Sequence, residues 1–108
     1  MKKETFTTNL TESETERLAI LAEECAEVQQ VIMKILRHGY GSHNPFDEDK
    51  TPNRKLLNKE LGDLLNAVDL LGECHDINVK AIDQYKWEKR KKIQKYLHFN
   101  SIPPLSTT

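Results

Sequence analysis

Apolar residues recur every three or four positions in the first third of the chain, which is the spacing of an amphipathic helix. Two capping boxes overlap where this pattern begins, one opened by Thr11 and one by Ser13, and either can start the helix. A cationic last turn followed by Gly39 predicts its end. The pattern thus predicts a first helix of about 26 residues. Its apolar positions are Leu18, Leu21, Cys25, Val28, Ile32, Ile35 and Leu36.

Two further helical patterns follow a loop that runs from Gly39 to Lys50. Thr51-Pro52 predicts an N-cap with proline at the first helical position, opening a second helix to about Glu73. Asn78 can cap a third helix that continues to about Leu97. Since no alternating strand pattern occurs, the chain is expected to be all-α and to form a helical bundle.

The three helices fit one domain, because a chain of 108 residues has room for no more. We expect a polar arm over residues 1–11, a single all-alpha domain over 12–98 and a tail over 99–108. Apolar residues make up only 37% of the chain, against about 45–50% in typical domains with glycine included. We therefore expect subunits to share part of their core, in a homodimer or a homotetramer.

The net charge, the lengths of the apolar runs and the cysteine count indicate which partners and which cellular location to expect. A formal net charge of -1 gives no global attraction to nucleic acid, so we expect no such partner. No apolar run approaches the roughly 20 residues that span a bilayer, which predicts a cytoplasmic protein without membrane association. Cys25 and Cys74 are too few for a disulfide framework or a zinc site, and their apolar surroundings predict two buried thiols.

Four acidic residues stand on faces that should be apolar. Glu60 lies near the middle of the leucine stripe of the second helix, and Asp63 lies inside the edge of that stripe. Glu24 falls within the apolar arc of the first helix and Glu27 at its margin, whereas Glu23 is farther out. Burying an ionised carboxylate without a partner costs several kcal/mol. Two such pairs on two helices predict either proton uptake or a bound cation.

The chemistry of these donors indicates which cation. The spacing of both pairs resembles the Glu-x-x-His pattern of di-iron bundles, but no histidine stands at the partner position. Oxygen donors alone suit Mg²⁺, Mn²⁺ or Ca²⁺ better than zinc or redox iron. We expect Mg²⁺, with Mn²⁺ as the alternative. Because Mg²⁺ is commonly completed by phosphate oxygens, the implied chemistry is metal-assisted displacement at phosphorus.

Glu23-Glu24-Cys25-Ala26-Glu27 and Glu60-Leu61-Gly62-Asp63 resemble two motifs, E-E-x-x-E and E-x-x-D, of the MazG-like all-alpha nucleoside triphosphate pyrophosphohydrolases. The likeness covers residues 21–34 and 59–71 and extends more weakly to about Leu97. It implies a MazG-like helical bundle completed by oligomerisation. It also implies a hydrolase acting on acid anhydrides, which converts nucleoside or deoxynucleoside triphosphates to the monophosphate and pyrophosphate with Mg²⁺. The implied role is housecleaning or regulation of nucleotide pools.

The resemblance also implies roles for single residues. Glu24, Glu27, Glu60 and Asp63 would hold the metal. Glu23 and Glu24 are the implied catalytic residues, with Glu23 orienting or deprotonating water. The expected substrate-binding residues are Lys34, Asn66, Lys86, Lys89 and Arg90.

Each of these substrate contacts has a structural alternative. Lys34 can reach a phosphate or snorkel from the subunit interface, and Asn66 can contact the nucleotide or else cap or hydrogen-bond within the bundle. The basic residues near Lys86 can equally form a solvated helix end that the helix dipole favours. Two other functions compete with hydrolysis. One is a non-catalytic helical adaptor or regulator whose acids form interface salt bridges, and the other is a small nucleic-acid-binding bundle led by the third helix.

Overall fold

A computed structural model describes residues 7–103 of the chain. They comprise three α-helices, α1 (Glu12–His38), α2 (Asn53–Glu73) and α3 (Val79–Ile93), and a 3-10 turn (Gln94–Tyr96). Two compact units are present, one ending at Asp76 and the other starting at Ile77. Residues 7–103 contain no strand, so the all-α prediction is confirmed. Within that range, no helix is both long enough and apolar enough to cross a membrane.

Local hydrogen bonds define both ends of α1. Of the two candidate capping boxes, the structure uses the one at Thr11. Its hydroxyl oxygen accepts from the Glu14 N–H at 3.1 Å, and the Glu14 carboxylate accepts from the Thr11 N–H at 2.9 Å. At the other end, Gly39 has a φ of 90° and donates its N–H to the Ile35 carbonyl. The left-handed φ explains why glycine stands there.

The start of α2 differs from the prediction. We expected Thr51 as the N-cap and Pro52 in the first turn, but Pro52 is the N-cap and the helix begins at Asn53. The preceding loop supplies the capping carbonyls instead: the Asn53 N–H donates to the Ser42 carbonyl and the Arg54 N–H to the Tyr40 carbonyl. With these donors satisfied by backbone oxygens, a side-chain cap from Thr51 is unnecessary.

The helices α1 and α2 form an antiparallel hairpin with a thin core. Its buried hydrophobic residues are Val28, Val31, Ala67 and Leu71. At the loop end, the Asn53 side chain is 4% exposed and donates from Nδ2 to the Gly39 carbonyl at 3.1 Å. At the far end, Arg17 donates two hydrogen bonds to Asp76, of 2.6 and 2.9 Å. Contacts at both ends thus fix how the two helices align.

The second unit is built around α3. The Asn78 side chain accepts from the Ala81 N–H at 3.1 Å, as predicted for its N-cap. The α-helix ends earlier than the expected Leu97, because the chain tightens into the 3-10 turn after Ile93. No residue of α3 is buried. Part of the predicted tail, residues 104–108, and part of the predicted arm, residues 1–6, lie outside the described range.

Both cysteines are exposed, so the prediction of buried thiols is wrong. Cys25 belongs to a line of α1 side chains, with Leu18 and Ile32, that lies about a quarter-turn around the helix from the face that contacts α2. Because α2 covers only part of the wide apolar arc of α1, these side chains are exposed. Cys74 follows the last residue of α2, beyond the packed part of the hairpin.

Candidate metal centre

Four carboxylates meet between α1 and α2. Glu24, Glu27, Glu60 and Asp63 each place one oxygen so that all four oxygens lie within 4.8 Å of one another. Each pair sits one helical turn apart on its own helix, and the antiparallel hairpin brings the pairs face to face. All four residues are half-buried. The convergence predicted from the helical faces is therefore observed.

Groups of the protein compensate the negative charge of this acidic cluster only in part. One carboxylate oxygen of Glu24 and one of Glu60 are buried, and neither has a hydrogen-bond partner among residues 7–103. A hydrogen bond with Glu60 and the negative charge of Glu24 raise the pKa of Glu27 to about 7. Because four carboxylates this close repel one another, they cannot all ionise at low energetic cost. A proton or a cation has to compensate them.

One cation of the chain already reaches the cluster. The Lys59 ammonium donates to Asp63 Oδ2 at 3.0 Å and lies 3.5 Å from Glu60 Oε1. The hydrogen bond to Asp63 raises the pKa of Lys59. However, the Lys59 side chain is 65% exposed, and the Asp63 side chain is 43% exposed. Such a pair contributes little stability and yields readily to a stronger cation. Lys59 leaves the buried oxygens of Glu24 and Glu60 unpaired.

The donor set fits a hard divalent cation. It consists of carboxylate oxygens only, and these are the ligands that Mg²⁺ and Mn²⁺ prefer. Within residues 7–103, one oxygen of Glu24 and one of Glu60 are buried without a hydrogen-bond partner, and a metal ion is one group that satisfies buried acceptors of this kind. Glu24, Glu27, Glu60 and Asp63 are thus the residues that could hold such an ion.

The other predicted residues of the hairpin lie around this cluster rather than in it. Glu23 is exposed beside Glu24, and its negative charge contributes to the raised pKa of Glu27. Asn66 is exposed on α2, one turn beyond Asp63, and makes no side-chain hydrogen bond within the described part of the chain. Its alternative role as a hydrogen-bonding residue within the bundle is therefore not observed.

Lys34 opens onto a cavity that sequence reasoning missed. This cavity, which we call the loop-end pocket, has a volume of about 310 Å³ and lies where the last turns of α1 meet the loop and the start of α2. It is lined by Lys34, Arg37, His38, Ser42, His43, Asn44, Pro45, Asn53 and Leu56. The concentration of basic residues around Gly39 was the available sequence signal. Lys59 was also missed, although its spacing of four residues from Asp63 is typical of a helical ion pair.

The three basic residues predicted on α3 lie together in the second unit. Lys86, Lys89 and Arg90 line a cavity of about 410 Å³ that Trp87, Ile93 and Ile102 complete. Arg90 Nη2 donates to the Pro103 carbonyl at 3.2 Å, and its buried Nε has no partner in the described residues. Lys86 forms an ion pair with Asp83. Arg90 therefore anchors the segment after the 3-10 turn.

Comparison of the chain with protein-family models, curated proteins and solved structures finds no match. The resemblance to the MazG-like enzymes accordingly depends on the two acidic motifs and the residues around them.

Proposed function

We propose that this protein is a Mg²⁺-dependent nucleoside triphosphate pyrophosphohydrolase of the MazG-like type. The observation that carries the proposal is the convergence of four carboxylates, with two buried oxygens that have no partner in the described part of the chain. In the reaction, the oxygen of water forms a bond to the α-phosphorus. The bond from that phosphorus to the oxygen bridging to the β-phosphorus breaks, and pyrophosphate leaves with the electron pair. The proposed setting is the cytoplasm, in housecleaning or regulation of nucleotide pools.

Each predicted site residue has a role in the proposed reaction. Glu24, Glu27, Glu60 and Asp63 hold the metal, which when bound neutralises phosphate charge and stabilises the leaving group. Glu23 stands exposed beside them, where it can orient water or accept its proton. In this proposal Lys34, Lys86, Lys89 and Arg90 contact phosphates, and Asn66 contacts the nucleotide.

We also propose that a second copy of the chain covers the apolar side of the hairpin. Leu18, Ile32 and Leu36 on α1 and Leu61 and Leu65 on α2 are exposed, with Leu36 at 72% and Leu65 at 62%. On an antiparallel hairpin these positions share one side, and Glu27 and Asp63 lie toward the opposite side. The hairpin buries only four hydrophobic residues, so it needs a further apolar partner. Association through this side leaves the acidic cluster accessible.

The test of the proposed function is hydrolysis of a panel of ribo- and deoxynucleoside triphosphates with Mg²⁺. We expect monophosphate and pyrophosphate, rather than diphosphate and phosphate. Glu60→Gln should abolish pyrophosphate release without loss of helical content. Asp69→Asn is the matched control, because Asp69 is an exposed acid on the same helix outside the cluster. Equal activity in Glu60→Gln and Asp69→Asn would contradict the site assignment.

A non-catalytic adaptor is the second candidate, and the contact of Lys59 with two of the acids favours it. In that case, lysines rather than a metal compensate the acids. Calorimetric titration separates the two functions, because an adaptor shows no Mg²⁺-dependent nucleotide binding. A nucleic-acid-binding bundle instead predicts strongly salt-dependent binding to oligonucleotides and no response to Mg²⁺.

A further inference from the structure

The loop-end pocket is unusual in its charge. Lys34, Arg37, His38 and His43 contribute basic side chains to it, and no aspartate or glutamate of the described residues lines it. Within residues 7–103, Lys34 and Arg37 form no ion pair, although the chain carries 17 acidic residues. Two unpaired cations beside a cavity of about 310 Å³ create a concave region of positive potential.

The dipole of α1 accounts for only part of this arrangement. Cationic residues in the last turn of a helix interact favourably with its carbonyl end, which explains Arg37 and His38. His43 lies in the loop, outside the helix, and still lines the same cavity. The nearby Asp47 carboxylate already accepts hydrogen bonds from the N–H groups of Thr51 and Asp49. It is therefore occupied within the loop.

The pocket lies on the acidic side of the hairpin. Lys34 follows Glu27 by seven residues, which places it about 10 Å farther along the same face of α1. Leu56, which lines the pocket, precedes Glu60 on α2 by one turn. The acidic cluster and the pocket thus follow one another along the same side of the hairpin. An elongated ligand with a metal-bound part and an anionic end would contact both.

We propose that the loop-end pocket binds the two terminal phosphates of the substrate, the part that leaves as pyrophosphate. This inference depends on the proposed function for the identity of the substrate. Lys34 and Arg37 offer charged donors, and the Ser42 hydroxyl and the His43 ring offer further hydrogen bonds to phosphate oxygens. These groups stabilise the negative charge that grows on the leaving group, at the loop end of the hairpin beyond the acids.

The experiment is calorimetric titration with inorganic pyrophosphate in EDTA, so that no metal bridges the ligand to the acids. The K34Q/R37Q double variant should bind pyrophosphate at least tenfold more weakly than the wild type. Lys55→Gln should bind it as the wild type does, because Lys55 is an exposed lysine in the first turn of α2 outside the pocket. Circular dichroism checks that both variants keep their helices.

Three results would overturn the inference. The first is that the wild type does not bind pyrophosphate, and the second is that K34Q/R37Q and K55Q bind pyrophosphate with equal affinity. The third is that the double variant loses binding of a nucleoside monophosphate but keeps binding of pyrophosphate. The last result would assign the pocket to the nucleoside. Failure of the proposed function has a different signature, namely no triphosphate hydrolysis or full activity in Glu60→Gln. In hydrolysis assays pyrophosphate should inhibit competitively, and a non-competitive pattern would contradict a site shared with the substrate.

Discussion

Replacing Glu60 by glutamine should change the stability of the protein in opposite directions without and with metal. The substitution removes one charge from four carboxylates whose ligand oxygens lie within 4.8 Å, and it supplies an amide that can donate to a neighbouring oxygen. In EDTA at pH 8, we expect the Tm of Glu60→Gln to equal or exceed that of the wild type. The loss of a ligand should appear only when Mg²⁺ is added.

The size of the metal effect follows from mass action. At a Mg²⁺ concentration ten times the Kd of the wild type, binding adds about 1.4 kcal/mol to the free energy of unfolding. For a chain of this size, that raises the Tm by about 6–11 °C. If the substitution weakens binding tenfold, the same Mg²⁺ concentration adds only about 0.4 kcal/mol, or about 2–3 °C.

The assay is thermal unfolding followed by circular dichroism, in EDTA and in Mg²⁺, with Asp69→Asn as the control. Asp69 lies on α2 outside the cluster, so its variant should keep the full metal-induced shift. Equal stabilisation of Glu60→Gln and the wild type by Mg²⁺ would contradict a role of Glu60 as a metal ligand. A lower Tm of Glu60→Gln in EDTA would contradict repulsion among the four carboxylates.

Four further predictions follow from the hairpin. The raised pKa of Glu27 means that the folded chain keeps a proton there which the unfolded chain loses above a pH of about 4.5. The Tm in EDTA should therefore fall as the pH rises from 4.5 to about 7, and the Tm of Glu27→Gln should not show this fall. Lys59→Gln should tighten Mg²⁺ binding by up to about fivefold in calorimetry, because a competing exposed cation is removed; weaker binding would contradict this. Leu71→Ala, at a side chain 2% exposed, should lower the free energy of unfolding in urea by about 2–5 kcal/mol, and a loss below 1 kcal/mol would argue against this core. Asp76→Asn should lower the Tm at neutral pH. Because Arg17 lowers the pKa of Asp76, that difference should shrink in acid, and a constant difference would count against the ion pair.

Local signals in the sequence were sufficient to predict most of the helical framework. The capping box at Thr11 and the glycine at the end of α1 act within a few residues, so a linear pattern contains them. The predicted start of α2 differs from the observed one by one residue, because its capping carbonyls come from Tyr40 and Ser42, more than ten residues earlier. Contacts of that range have no signature in spacing.

The candidate site, too, could be predicted from the sequence only in part. Helical periodicity alone placed Glu24 and Glu60 on inward faces, and the hairpin brings them together with their neighbours. The loop-end pocket could not be predicted in this way, because it depends on how the loop folds beside Lys34. The exposure of Cys25 was likewise missed, since periodicity identifies an apolar arc but not how much of that arc another helix covers.

The most direct test of the central claim is a crystal structure of the protein grown with Mn²⁺, with anomalous scattering used to locate the ion. We expect an anomalous peak from an ion that is coordinated by oxygens of Glu24, Glu27, Glu60 and Asp63. Crystals of Glu60→Gln should lack this peak. Crystals in which Lys59 remains bound to Asp63 and Mn²⁺ binds elsewhere, or not at all, would contradict the account.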